Sequence, residues 1–412
     1  MIRRFTNQKR FSSNSASGNR GGFFGGGGGG LRGRNRPAKK MRGEYIDISK
    51  FVKKATISTT LEPVVIEHKF SDFGLCGQLE KNLAARNYMY PTPIQDQSIK
   101  HTMSGKDIIG LANTGTGKTA SFLLPMINKV FHDRNQNVLI VAPTRELAIQ
   151  IEEEFKKFTP SLNIGSVACV GGAPIYRQIN GLRRQPNFVI GTPGRLMDLN
   201  ERGLLPFSAF QNVVLDEIDR MLDMGFIDEV KKMLADMPKE RQSLFFSATM
   251  PPKIKDLTKQ FLKDPITVKV SSEGASENVD QDIVKFIGRQ VKFDKLKDLL
   301  IKTDLKKVLI FSETKRDVER LTEGLIRDGF KADSIHGDRK HNQRQKALSK
   351  FKEGEVQILV ATDVAARGLD IKDITHVINF TVPQTYDDYI HRIGRTGREN
   401  KKGFALTFVE TS

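Results

Sequence analysis

The sequence predicts an α/β protein with two parallel-sheet domains in tandem, preceded by a disordered, basic, Gly-rich N-terminal tail. Three observations carry this. Short β-branched runs alternate with helical patterns from Glu44 onward, the pattern of βαβ units. A polar stretch without periodicity, Ser271-Ser-Glu-Gly-Ala-Ser-Glu-Asn278, interrupts the alternation once. The first 43 residues have a composition unlike the rest. With 412 residues, 38% of them hydrophobic, the chain has apolar material for a packed core and length for more than one domain.

Residues 1–43 hold eleven Lys or Arg, eleven Gly and no acidic residue. They therefore carry +11 of the net charge of +18 and leave +7 for the remainder. So few apolar groups do not offset the entropy of ordering, and the run Gly25 to Gly30 adds no side chain to pack. Arg20-Gly-Gly-Phe-Phe24 mixes guanidinium and aromatic groups, which suits a nucleic-acid tether. A solubilising tail and an organelle transit peptide over residues 1–20 are the alternatives.

The first domain is expected over 44–270, with strands at Asp107-Ile-Ile-Gly110, Val138-Leu-Ile-Val-Ala142, Phe188-Val-Ile-Gly191, Val213-Val-Leu-Asp216 and Ser243-Leu-Phe-Phe-Ser247. A linker is expected over 271–282 and a smaller domain over 283–412. Its strands are Lys307-Val-Leu-Ile-Phe311, Lys331-Ala-Asp-Ser-Ile-His336, Gln357-Ile-Leu-Val-Ala361 and His376-Val-Ile-Asn-Phe380.

Composition also excludes. Only Cys76 and Cys169 occur, and no histidine joins them at a metal-ligand spacing, so disulfide scaffolds and zinc modules drop out and both thiols read as reduced and structural. No apolar run approaches the roughly 18 residues of a membrane span, and no apolar segment follows the basic start, which removes a secretory signal. The excess of positive charge points to a polyanionic partner.

Two sites of chemistry stand out. After Ile108-Ile109 comes Ala112-Asn113-Thr114-Gly115-Thr116-Gly117-Lys118-Thr119, followed by a helical pattern. A Gly-rich turn at a helix N-terminus points N–H groups at phosphate, Lys118 adds charge, and Thr119 is placed to ligate Mg²⁺; Ala112 stands where the strict pattern has Gly. At the end of Val213-Val-Leu215 comes Asp216-Glu217-Ile218-Asp219. One carboxylate there can hold Mg²⁺ through water, and its neighbour can orient and deprotonate an attacking water.

Together these residues resemble the DEAD-box ATP-dependent RNA helicases of superfamily 2, bacterial type, with the signature written Asp216-Glu-Ile-Asp219. The resemblance runs from Phe70 to Phe408 with the motifs in family order. It implies two RecA-like domains that bind ATP and Mg²⁺ in their shared cleft and RNA across both. Lys118, Asp216 and Glu217 are then catalytic, with Thr119 and Asp216 on the metal. Tyr88-Met-Tyr-Pro-Thr-Pro-Ile-Gln95 matches the adenine-reading motif, with Gln95 on the adenine edge and Phe70 as its isolated aromatic; core packing is the alternative for Tyr88. Asn87 stands where the family often has Gly.

Pro143-Thr-Arg145, Gly171-Gly172 and Thr192-Pro-Gly-Arg195 match the first domain's RNA-contacting motifs, which work through loop amides and guanidinium charge. Ser247-Ala-Thr249 resembles the motif that couples the ATP site to closure through Asp219. In the second domain, Thr314 and Thr362 are implied to face RNA, Asp370 to approach the ribose, and Arg395 and Arg398 to act as arginine fingers. His391 is implied to couple the motifs, with a packed structural histidine as the alternative. Where the family usually shows Gln-x-x-Arg, this chain has His341-Asn-Gln-Arg344, so Arg344 carries the match to RNA. Ile218 replaces the usual Ala behind the metal site, where a changed rate is expected and not lost activity.

The function expected is unwinding or remodelling of short RNA duplexes and RNA–protein complexes, coupled to RNA-stimulated ATP hydrolysis. The competing class is a non-unwinding RNA clamp or chaperone, and a DNA translocase is a further enzymatic alternative. The family implies single-stranded and short duplex RNA held mostly by its sugar-phosphate backbone, ribosomal particles or RNA-decay proteins as partners, a monomer, no membrane, and a cytoplasmic location with a mitochondrial one second. Because relatives usually continue with a further helix, ending at Ser412 reads as truncation or as lack of that extension.

Overall fold

The computed structural model describes residues 46–55, 66–113, 115–270, 278–301, 305–366, 371, 373–397 and 401–411. The expected tail and the predicted site residues Thr114, Asp370 and Arg398 lie outside them. The described residues belong to one compact unit within Gly43–Ser412 and build two fully parallel sheets.

In the first sheet the strands are β1 (Ile108–Leu111), β2 (Val138–Val141), β3 (Ser166–Cys169), β4 (Phe188–Gly191), β5 (Asn212–Leu215), β6 (Gln242–Ser247) and β7 (Ile266–Lys269), in the order β3-β4-β2-β5-β6-β1-β7. Helices cover both faces, so the central strands are apolar on both sides. Alternate residues feed opposite cores: Ile140, Val214 and Leu244 join one cluster, while Leu139, Val213 and Phe245 join the other. The second sheet contains β8 (Val279–Phe286), β9 (Val308–Phe311), β10 (Ala332–Ile335), β11 (Ile358–Ala361), β12 (His376–Asn379) and β13 (Gly403–Glu410), in the order β10-β11-β9-β12-β13-β8. Its central strands divide the same way, with Ile310 and Val360 on one face and Leu309 and Leu359 on the other.

Two boundaries differ from the sequence reading. Strand β8 opens at Val279, so residues 279–282 of the expected linker already belong to the second sheet, paired with β13. Residues 46–55, expected with the first domain, pack on the second: Lys53 bridges Gln281 of β8, and Phe51 is buried against Tyr389 and Ile393. Among the described residues no helix is long and apolar enough to cross a membrane.

Parallel strands place their C-terminal ends on one edge, and ligands in such sheets bind there. The phosphate-type turn leaves β1, the acidic tetrapeptide leaves β5, and Ser247 ends β6, which lies between them.

Candidate active site

The helix Lys118–His132 starts at Gly117, whose φ of +94° is left-handed. A Cβ there would lie 2.4 Å from Gln95 Nε2 and 2.7 Å from Thr92 Oγ1, so the turn requires glycine for both its backbone and its contacts. Gln95 holds that turn: its Nε2 donates to the Gly117 carbonyl at 2.9 Å, and its Oε1 accepts from Thr92 N at 2.9 Å. Lys118 is buried and donates from Nζ to the Ala112 carbonyl at 2.9 Å, while Thr116 Oγ1 donates to the Asn113 carbonyl at 2.8 Å. The lysine is thus folded back over the turn where phosphate charge is expected.

At the end of β5, Asp216 and Glu217 are both buried, and Glu217 adopts a left-handed φ of +52° that turns the chain into the helix Ile218–Asp223. Asp216 Oδ1 accepts from Glu217 N at 2.9 Å. Burial pushes the Asp216 carboxyl up, against the opposing pull of Lys118. Glu217 moves the other way: burial alone would raise it, but the charges of Arg220, Lys118 and Arg395 together hold it well below the ordinary carboxylate range. Arg220 is the direct partner, in a buried ion pair with Glu217. Sequence reading missed Arg220; the available signal was its i,i+3 spacing from Glu217 on a helix. Ile218 points away from this chemistry, into the core with Leu215, Met221 and Phe245.

Asp219 and Thr249 are joined by hydrogen bonds. Asp219 Oδ2 accepts from Ala248 N at 3.0 Å, Thr249 N at 2.9 Å and Thr249 Oγ1 at 3.2 Å. Ser247 contributes differently, donating from Oγ to the Thr249 carbonyl at 2.7 Å, so it shapes the loop and does not itself reach the carboxylate.

A cavity of about 470 Å³ brings these groups together with the second domain. Gln95, Gly115, Gly117, Lys118, Thr119, Asp216 and Glu217 line it, and Arg395 faces them from beyond the helix Tyr386–Ile393. Arg395 is buried and donates from Nε to the His391 carbonyl at 3.3 Å. Ala112, Asn113 and Thr116 shape the turn from behind the lining. Phe70 is 4% exposed and packs in the core, with ring centroids 6.0 Å from both Phe73 and Tyr88. Tyr88 is the aromatic that lines the cavity, and its hydroxyl donates to Glu154 at 3.2 Å. The donor set fits a nucleotide with a divalent cation: backbone amides and a lysine for phosphate, and the oxygens of Thr119 and Asp216 for a hard metal ion.

The predicted RNA residues lie at the strand ends of both sheets. Arg145 starts the helix Arg145–Phe158, and its guanidinium lies over the Gly171-Gly172 turn, so that a Cβ on Gly172 would come within 2.0 Å of Nη1. The glycines thus leave room for Arg145. Arg195 Nη1 donates to Gln178 Oε1 at 3.0 Å, and Gln178 Nε2 donates to the Val170 carbonyl at 2.9 Å, which ties two of the motifs together through a buried amide the sequence did not flag. Thr192 caps the helix Pro193–Glu201 by position, with no side-chain cap bond. Thr314 is exposed and caps the helix Lys315–Arg327, its Oγ1 accepting from Asp317 N at 3.1 Å; Thr362 follows β11 and is half-buried. Arg344 Nη2 is 2.7 Å from a carboxylate oxygen of Glu146, an ion pair between the two domains. The next unpredicted residue is Arg392, which grips Asp363 with Nε at 2.6 Å and Nη2 at 2.7 Å and so binds two second-domain motifs. His391 is half-buried next to it.

Two parallel-sheet domains sharing a cavity with a phosphate-type turn, an acidic pair and an arginine from the opposite domain define a RecA-like nucleotide-binding core. Comparisons with known proteins agree. Residues 92–257 match the DEAD/DEAH box helicase family and residues 291–400 match the helicase conserved C-terminal domain. The chain is 45% identical over 344 residues to the ATP-dependent RNA helicase CshA of Listeria monocytogenes serovar 1/2a, covering 83% of this chain and 66% of that protein. It is 45% identical over 341 residues to the DEAD-box ATP-dependent RNA helicase CshA of Bacillus subtilis, covering 82% and 69%. It therefore spans about two thirds of the length of these relatives. Among solved structures it is similar to S. cerevisiae Dbp5 bound to RNA and ADP BeF3, with a TM-score of 0.74 at 31% identity over 83% of this chain and 90% of that one. It is also similar to Mss116p (NTE and C-tail double deletion) bound to ssRNA and AMP-PNP, with a TM-score of 0.75 at 30% identity over 87% and 75%. The chain belongs to the DEAD-box ATP-dependent RNA helicase family.

Proposed function

We propose that this chain is an RNA-dependent ATPase that unwinds or remodels short RNA duplexes and RNA–protein complexes. The observation that carries the reading is one cavity lined by Lys118, Asp216 and Glu217 from the first domain and Arg395 from the second. A site completed only when both domains contribute makes hydrolysis conditional on closure.

When bound, ATP with Mg²⁺ supplies the scissile phosphoanhydride and a divalent charge at its phosphates. The residues present are suited to the rest. Gln95 keeps a donor and an acceptor for an adenine edge beyond the bonds it makes to the turn. Lys118 would exchange the Ala112 carbonyl for phosphate oxygens, and Thr119 and Asp216 would hold the metal. Glu217, kept anionic by Arg220, takes the proton of the attacking water at its carboxylate. Arg395 stabilises the charge that develops at the far side, with Arg398 as its partner in the family pattern. Asp219, Ser247, Thr249 and His391 connect this chemistry to closure.

RNA is taken up on Arg145, Gly172, Thr192 and Arg195 of the first domain and on Thr314, Arg344 and Thr362 of the second, mainly through its backbone. The basic tail adds a non-specific tether. The chain acts as a monomer, with ribosomal particles or RNA-decay proteins as its natural settings. Cytoplasm is the proposed location, consistent with the two buried, unpaired cysteines. The Arg- and Ser-rich residues 1–20 favour a mitochondrial setting as the second reading.

The test is ATPase rate with and without single-stranded RNA, beside Glu217→Gln and with DNA of the same sequence. Stimulation by RNA that is lost in the variant supports the proposal. A flat response to RNA moves the function to a clamp or chaperone, and equal stimulation by DNA moves it to a nucleic-acid translocase.

A further inference from the structure

Residues 46–55 precede every motif of the site, yet they are built into the second domain beside the arginine. Lys53 N donates to the Gln281 carbonyl at 3.0 Å and the Gln281 N donates back at 2.7 Å, an antiparallel bridge on β8, which is an edge strand. Ala55 N donates to the Asp280 carboxylate at 2.6 Å. Phe51 is 1% exposed, in a cluster with Val279, Tyr389, Ile393 and Ala405, and its ring lies 4.7 Å from that of Tyr389 at an interplanar angle of 63°. The circuit closes on itself, because Tyr389 donates from its hydroxyl to Gln281 Oε1 at 2.9 Å.

The helix Tyr386–Ile393 that receives these contacts is only eight residues long, and a helix so short owes its place to packing. Its last turn presents the His391 carbonyl that accepts from Arg395 Nε. Displacing Tyr389 or Ile393 therefore displaces the backbone from which Arg395 reaches the cavity.

We infer that residues 46–55 form a brace of the second domain, with Phe51 as a positioning residue for Arg395. This rests on the proposed role of Arg395 in hydrolysis. The brace sets where the arginine stands when the domains close.

The experiment compares the full chain with Phe51→Ala, Phe51→Leu, Lys53→Pro and Val52→Ala. Val52 is half exposed in the same segment and serves as the control. At saturating RNA and ATP, Phe51→Ala is expected to lower kcat about tenfold or more with KM for ATP unchanged, because an arginine used in the transition state contributes little to ground-state binding. Phe51→Leu restores most of the rate, Lys53→Pro gives a partial loss by removing the bridging N–H, and Val52→Ala has no effect. Hydrogen exchange over residues 386–397, without nucleotide or RNA, is expected to accelerate in Phe51→Ala and Lys53→Pro only. Wild-type kcat or wild-type exchange in both of those variants overturns the inference. A wild-type chain without RNA-stimulated ATPase overturns the proposed function instead, and exchange then still decides whether the brace exists.

Discussion

Arg344 and Glu146 meet across the two domains, with Nη2 2.7 Å from the carboxylate and both side chains nearly buried, 11% and 4% exposed. Glu146 stands next to Arg145, which burial and the nearby positive charge of Arg344 hold below its ordinary pKa. The pair therefore neutralises a site where guanidinium groups from both domains crowd together, and it does so only when the domains are docked. Removing one partner of a buried pair leaves the other charge uncompensated, at a cost of about 3–5 kcal/mol. Because this pair spans the cleft, Arg344→Ala is expected to raise the RNA concentration for half-maximal ATPase about tenfold or more and to leave the melting of each domain little changed. A double-mutant cycle with Glu146→Gln should return a coupling above about 1 kcal/mol. Additive effects would show that the contact contributes nothing to closure.

Gly117 separates conformational from steric demands. An alanine there would need a left-handed backbone, costing about 1–2 kcal/mol, and its Cβ would meet Gln95 and Thr92. Gly117→Ala is expected to abolish nucleotide binding in a fluorescent-nucleotide titration. Gly77 opens the helix Gly77–Ala84 with nothing within 4 Å of its Cβ position and no positive φ. Gly77→Ala should instead stabilise the protein by about 0.4–1 kcal/mol without touching activity.

What could be read in advance follows from how each element is buried. The strands at Val138 and Phe188 are apolar on both faces and announce themselves, whereas β3, β7 and β8 lie at sheet edges without a continuously buried run and were missed, as was β13 beside β8. The turn before Lys118 and the acidic run at Asp216 were legible because phosphate and metal chemistry restrict residue types. Gln178 and Arg392 were not, since an amide clamp or a buried ion pair between distant segments leaves no local pattern beyond a polar residue on a helix, and Arg220 offered only its i,i+3 spacing from Glu217. The packing of Phe70 against Phe73 and Tyr88 and the ion pair of Arg344 with Glu146 are tertiary contacts that motif spacing does not encode. The docking of residues 46–55 on β8 is a tertiary contact between distant parts of the chain, and no local feature encodes it.

Ile218 tests whether the third position of the acidic tetrapeptide acts on the chemistry. It is 1% exposed and packed in the core with Leu215, Met221 and Phe245. Ile218→Ala is expected to cost about 2–4 kcal/mol of first-domain stability through the cavity it leaves. KM for ATP should stay unchanged at a temperature well below the transition. A variant that melts like wild type, or that loses nucleotide affinity, contradicts this assignment.

Asp107 gives a pH dependence with a defined sign. It is buried at the start of β1 and accepts from Ser243 N at 2.7 Å and Lys263 N at 2.8 Å, yet burial outweighs these bonds and raises its pKa above the ordinary 3.8. A carboxyl whose folded pKa is raised binds its proton more readily in the native state, so its contribution to stability improves as pH falls from neutral toward 3.8. Asp107→Asn has no such titration. The melting temperature of wild type relative to Asp107→Asn should therefore rise on acidification, as read by paired thermal scans, and a constant difference would show that the carboxyl is not raised.

Arg220 is the sharpest test of the acidic pair. Its ion pair with Glu217 is buried on both sides, 4% and 5% exposed, and its charge is the largest influence that opposes burial at Glu217. Without it, Glu217 faces a low-dielectric site with less compensation, and its anionic form, the form a general base needs, becomes harder to maintain. Arg220→Gln is expected to lower kcat of the RNA-stimulated ATPase by about a hundredfold, comparable with loss of a general base, while fluorescent-nucleotide affinity is retained because Lys118 and the turn are untouched. Arg220→Lys should recover part of the rate by restoring charge without the guanidinium geometry. Equal losses in Arg220→Gln and Arg220→Lys would show that shape at this position, and not the charge beside Glu217, sets the rate.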